Sequence, residues 1–128
     1  MLIAGNSYYR QAMLGIRLAG AKGDITDTGH VVWTLNRMTP YVSSPLLYGD
    51  TLYHLRHNQN ILVRLDPSTG QSRGEPLRLE GIRDHIFASP VGAAGRIYVT
   101  ARDGRTVVLN HDSQNATIAV NQIGRAHV

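Results

Sequence analysis

The residues able to do chemistry are sparse in this sequence, and their spacing decides among the uses open to them. His54 and His57 lie three apart in "YHLRHNQN". Side chains on a strand alternate between faces, so this spacing puts the imidazoles on opposite sides, and joint metal ligation needs a bulge between them. The pair reads as edge or loop residues. Asp24 and Asp27 in "KGDITDTGH" offer carboxylates at a spacing open to calcium. No further acid follows nearby to complete an oxygen cage, and a solvated hairpin loop is the simpler reading. The triplet Asn115-Ala116-Thr117 has the form of a glycosylation acceptor, a weak signal in any sequence. No phosphate loop, nucleophile elbow or zincin helix occurs. With no cysteine there is neither a disulfide framework nor a thiolate zinc site. No reaction is written in these residues.

Charge narrows the partners. The 128 residues carry 13 basic and 9 acidic groups, a formal +4. Twelve of the 13 basic residues are arginines, spread from Arg10 to Arg125, and Lys22 is the one lysine, a skew that fits GC-rich coding. Nucleic-acid recognition needs a basic stripe or patch, and the arginines form no cluster interleaved with aromatics, so no nucleic-acid partner is expected. No run of 18 apolar residues is present, so no transmembrane segment is expected. The opening "MLIAGNSYYRQAML" has no basic flank and no uninterrupted apolar core, unlike a signal peptide.

The elements that must position these side chains are short. Runs rich in Val, Ile, Leu, Thr and Tyr recur between Gly, Asp, Asn and Pro, and predict strands over 12–18, 31–35, 45–48, 51–56, 61–65, 87–92, 96–100, 106–110 and 116–120. A weaker one lies at 75–79. No window sustains a 3.6-residue apolar period between start and stop signals. The fold class is all-β.

Sliding the sequence on itself by 45 positions sets "SPLLYGDTLYHLRHNQNILVRL" (44–65) over "SPVGAAGRIYVTARDGRTVVLN" (89–110) without a gap. An earlier partial copy is "MLGIRL" (13–18), similar to "NILVRL" (60–65). A period of about 40 to 50 residues with four short strands per unit marks β-propeller blades. Each small sheet has two apolar faces and must be sandwiched by its neighbours, which explains runs such as "ILV" and "TVVL". About two to three four-stranded blades of a larger ring are expected, over residues 1–122, with blade cores near 44–65 and 89–110. Tyr53 and Tyr98, equivalent in the repeat, are expected to pack between blades.

The turn "LDPSTGQ" (65–71) is the most specific local signal. Asp66 can accept backbone N–H bonds, Pro67 fits the first corner of a type I turn, and Gly70 can take the positive φ that follows. Here the chain resembles the pyrroloquinoline-quinone-like (PQQ-like) β-propeller repeats, whose pattern is Asp-x-x-Thr-Gly followed after three residues by a Trp. That resemblance implies docking of the Trp between adjacent blades. Asp66, Thr69 and Gly70 match, while the Trp position holds Gly74. The preceding unit supplies Thr28, Gly29 and Trp33, with Ile25 at the Asp position, and the third, "HDSQNATIA", has neither Thr nor Gly there.

The resemblance implies two functional classes. Quinoprotein dehydrogenases hold PQQ and Ca2+ on the propeller axis and oxidise alcohols or sugars with a catalytic Asp, often beside a vicinal cysteine pair. No stretch of this chain matches those residues. The other class, which includes the outer-membrane β-barrel assembly lipoprotein, keeps only the ring as a protein-binding platform. The expected function is a non-catalytic, protein-binding scaffold in an exported bacterial protein, periplasmic or extracellular, with no catalytic residue and no cofactor. Its partners are an unidentified protein and the remaining blades of the parent chain. The expected working surface comprises the loops 56–60, 81–86 and 102–105, with Arg56, His57, Asn58, Arg102 and Asp103 presenting hydrogen-bonding groups. The last residues, "IGRAHV" (123–128), match the translation of a common short-read sequencing adaptor, so a non-native tail is expected there.

Overall fold

A computed structural model describes residues 1–6, 9–112 and 114–122; the expected adaptor tail lies outside the described residues. Eleven strands form three antiparallel sheets, and the described residues contain no helix. The first sheet is β1 (Leu2–Asn6), β2 (Ala12–Ile16) and β3 (Val31–Leu35), side by side in chain order. The second is β4 (Leu46–Tyr48), β5 (Thr51–Leu55), β6 (Ile61–Leu65) and β7 (Leu77–Arg78). The third repeats that order with β8 (Val91–Ala93), β9 (Arg96–Thr100), β10 (Arg105–Asn110) and β11 (Thr117–Gln122). The segments 44–65 and 89–110 are thus equivalent three-stranded meanders, as the 45-residue offset requires. The sheets are three consecutive blades of an open β-propeller piece.

The pleat explains the apolar runs. Leu52 of β5 and Val63 and Leu65 of β6 join Met13 and Trp33 in a core between the first and second sheets. Their neighbours Tyr53, Leu55 and Leu62 join Ile97, Val99, Val107 and Leu109 in a core between the second and third. Both faces of the second sheet are buried, so alternation of polar and apolar residues would leave polar groups in a core. Each fully buried Leu contributes about 1.5–3 kcal/mol relative to exposure. The innermost strands β4 and β8 run close together, and the Ser44 N–H donates to Ser89 Oγ at 2.8 Å, joining repeat-equivalent serines of neighbouring blades.

Several strand ends differ from expectation. Strand β1 was not among the expected elements. Strands β4 and β8 begin after Pro45 and Pro90, because proline has no N–H for a ladder. Residues 87–90 therefore belong to the crossover into the third sheet, and Phe87 is 39% exposed. Strand β7 is only two residues long, preceded by Pro76. His54, expected at an edge or loop, lies in the middle of β5 at 1% exposure. It points with Leu52 toward the first sheet, at the floor of a cleft it shares with Leu35 and Met38.

Candidate functional site

The loops at one end of the strands are laced together by backbone hydrogen bonds. The β5–β6 loop closes on itself through Arg56 N–H to Ile61 O, and His57 N–H reaches Thr39 O at 2.7 Å in the crossover from the first sheet. Tyr41 N–H returns to His57 O. On the far side, Ile86 N–H donates to Asn58 O and Leu79 N–H to Asn60 O, while Asn60 Nδ2 donates to Ile82 O. The β9–β10 loop repeats the pattern one blade on, with Arg102 N–H on His85 O at 2.8 Å. The expected loops 56–60, 81–86 and 102–105 thus join the crossovers in one face, since a crossover without ladder partners must bond its backbone groups to adjacent loops.

The side chains of this face divide into two kinds. Tyr41 stacks on His57 with centroids 4.6 Å apart, and Phe87 lies 5.8 Å from His85. Both aromatics are 39% exposed and Val42 is 57% exposed. Arg102 pairs with Asp84 at 2.8 Å, and this contact together with the His85 N–H holds the Asp84 carboxyl below the usual range. Asp103 Oδ1 accepts the Arg105 N–H, and Arg105 Nη1 donates to Gly81 O. Arg102 and Asp103 are therefore committed to holding the loops. Arg37 and Arg56, by contrast, line an open cleft of about 500 Å³ and make no side-chain hydrogen bond or ion pair among the described residues.

At the other end lie the turns and the expected docking residues. Trp33 is paired with Gly15 across β2 and β3, and its Nε1–H donates to Pro67 O at 2.8 Å in the turn of the next sheet. A Cβ added to Gly15 would come within 2.2 Å of the indole and one added to Gly70 within 2.6 Å, so both close approaches require glycine. Asp66 Oδ1 accepts the Ser68 N–H, and Gly70, at φ +71°, returns its N–H to Asp66 O. Thr69 Oγ1 accepts the Gln71 N–H as Thr28 Oγ1 accepts the His30 N–H, beside the exposed Gly29.

Some working residues were missed from sequence. Asp24, weighed above for calcium, accepts the Thr26 N–H, the bond Asp66 makes in the second unit, from one position earlier than the repeat suggests. Asp112 does the same for Gln114 and Asn115 in the third. Asn115 falls under Gly70 at the 45-residue offset and also has positive φ, +49°. Its buried Nδ2 donates to Tyr53 Oη and Asn110 O, which leaves no room for a glycan. Tyr53 Oη also meets His111 Nδ1 at 2.7 Å. Arg64 Nη1 donates to Asn115 Oδ1 at 2.9 Å. The registers place Arg64 where the first unit has Gly15 and Gly74 where it has Trp33. The large side chain has moved to the opposite strand yet still reaches the turn of the following blade.

His54 is the buried titratable group. Its Nδ1 lies 3.1 Å from Leu55 O and its Nε2 has no partner among the described residues, so burial pushes its pKa below the ordinary histidine value. The described residues contain no group of three His, Asp or Glu able to hold a metal ion. Asp50, Asp66, Asp84 and Asp103 each lie within ion-pair distance of an arginine. No helix of the described residues is long and apolar enough to cross a membrane.

No family model and no curated protein matches the sequence. Among solved structures, the chain is similar to BamB from Moraxella catarrhalis, with 18% identity and a TM-score of 0.61 over 94% of this chain and 32% of that one. It is also similar to a europium-containing methanol dehydrogenase, with 11% identity and a TM-score of 0.58 over 93% of this chain and 22% of that one. The chain spans about a third of the first and about a fifth of the second. At these identities the likeness shows the fold alone, part of a β-propeller.

Proposed function

We propose that this chain is a non-catalytic part of a protein-binding propeller in an exported bacterial protein, periplasmic or extracellular, and that its loop face is the working surface. The observation that carries the reading is the division of labour on that face. Arg102, Asp84, Asp103 and Arg105 are spent on one another and on the loop backbone, while Tyr41, Val42, Phe87, Arg37 and Arg56 are presented outward. Aromatic side chains and arginine are the types enriched where proteins meet, and loops fixed by a rigid scaffold lose little entropy on binding. The partner covers the aromatic surface, whose burial supplies the affinity, and sets polar groups against the arginines, which fixes orientation. Periplasmic or extracellular location and a protein partner rest on the resemblance to the class of PQQ-like propellers that keep the ring alone.

The test uses the full-length ring that contains this segment. Purified with calcium and excess pyrroloquinoline quinone, it is expected to show no dye-linked oxidation of alcohols or sugars. It is expected to recover a discrete partner that is weakened by Arg56→Ala and by Tyr41→Ser. Arg102→Ala should act indirectly, by releasing Asp84 and loosening the loops. Quinone-dependent turnover would replace this reading with that of a dehydrogenase segment.

A further inference from the structure

The cleft between the crossover from the first sheet and the β5–β6 loop has an uncompensated charge. It is lined by Gln11, Arg37, Met38, Arg56, His57 and Gln59, two guanidinium groups with no carboxylate among them. Arg73 lies beside Asp50 and Asp66, Arg102 beside Asp84 and Arg105 beside Asp103; what sets Arg37 and Arg56 apart is that they line one cleft together. Like charges sharing a cleft repel, and an anion between them relieves that repulsion while taking the planar, two-pronged bonds that guanidinium groups make. The backbone adds a second observation. Met38 and His57, both lining the cleft, have φ of +59° and +53°. Such conformations cost about 1–2 kcal/mol each and cluster at ligand sites. The same crossover buries the hydroxyls of Thr39 and Ser43 without hydrogen-bond partners among the described residues.

We propose that this cleft receives an Asp or Glu carboxylate of an acidic peptide segment of the partner, held by Arg37 and Arg56. This inference rests on the protein-binding reading of the loop face and deepens it. A peptide is favoured over a nucleic acid by what surrounds the cleft. Tyr41, stacked on His57, and the exposed Val42 offer an apolar shoulder for the residue beside the carboxylate. On the neighbouring loops Arg102 and Arg105 are already paired with Asp84 and Asp103, so they are not open to a row of phosphates running on across the face. One or two negative charges next to an apolar side chain fit; a regular row of phosphates does not.

The probe is a fluorescently labelled peptide with Glu-Phe-Glu between glycines, titrated against the full-length ring and followed by anisotropy, beside its Gln-Phe-Gln counterpart. The Glu peptide is expected to bind at least tenfold more tightly, to weaken with added salt and to lose at least tenfold in affinity in R37A/R56A. R37K/R56K, which keeps the charge without the planar fork, should recover part of that loss. Equal binding of the two peptides, or a preference unchanged in R37A/R56A, would overturn the proposal. So would displacement of the Glu peptide by equimolar inorganic phosphate or a single-stranded oligonucleotide, which would mark a generic anion patch. If the natural partner binds R37A/R56A normally but is lost by Tyr41→Ser and Phe87→Ser, the loop face stands as an interface and the acidic-segment inference fails.

Discussion

The indole of Trp33, from the first sheet, lies against Gly70, from the turn of the second, with its Nε1–H donated to Pro67 O. Two incomplete copies of one sequence signature therefore meet in space: the Trp of one unit docks on the Asp-x-x-Thr-Gly turn of the next. Gly70 cannot change without meeting both the ring and its own backbone, since it also sits at φ +71°. In the full-length ring, Gly70→Ala is expected to cost about 2–4 kcal/mol, combining the left-handed penalty of an L-residue with displacement of the ring. In a Trp33→Ala background only the backbone part, about 1–2 kcal/mol, should remain. A double-mutant cycle from urea unfolding measures the difference.

The second interblade contact uses a different residue. Gly74, at the Trp position of its unit, has φ +78°, where an indole-bearing residue would be strained. Arg64 reaches the next turn instead, with Nη1 on Asn115 Oδ1 and Nη2 on Glu75 O. Arg64→Ala is expected to destabilise the ring by about 1–3 kcal/mol, in the range for hydrogen bonds to a charged group. Arg64→Lys should recover little of it, because one ammonium cannot span both acceptors. Denaturant midpoints of the two variants compare the cases.

His54 supplies a pH dependence. Its folded pKa is depressed by burial relative to the unfolded chain, so its neutral form stabilises the fold fully above about pH 6.5 and that stability is lost as the pH falls through the folded pKa. The loss approaches at most about 1.4 kcal/mol per pH unit. His54→Leu removes the titration and leaves no unpartnered nitrogen in the core. Urea midpoints at pH 7.5 and 5.5 should converge in His54→Leu relative to the parent, with little cost at the higher pH.

The outer sheets bear on self-association. Leu2 and Val32 on the first sheet and Ile118 and Val120 on the third are 42–47% exposed. Expressed without further blades, the chain is expected to self-associate through these surfaces and sheet edges, visible as species larger than the monomer in sedimentation velocity. A monodisperse monomer with a sharp cooperative melt would contradict this.

Much of the architecture was legible because a propeller repeats its physics. The 45-residue offset aligns β4–β6 with β8–β10, and double-sided burial leaves its mark in "ILVRL" and "TVVLN". Strand β1 lacked such a copy, and β7 is too short to have a period. The site was legible only in part. Loops 56–60 and 102–105 were visible as polar turns, but nothing local separates Arg102, spent on Asp84, from Arg56, which has no such partner. That distinction depends on a crossover some twenty residues away in the chain, as does the company Arg37 keeps. His54 was misplaced because its spacing from His57 says that the two point apart, and not which one is buried.

The proposed function places protein binding on the loop face and not at the turn end. The direct measurement is site-specific photocrosslinking in the native cell, with a photoreactive residue placed in the full-length ring at Tyr41 or Phe87, and separately at Asp50 or Ser68 in the turns at the opposite end of the strands. A discrete adduct with one partner is expected from Tyr41 and Phe87 and none from Asp50 and Ser68. Adducts confined to the turn end, or none at the loop face, would contradict it.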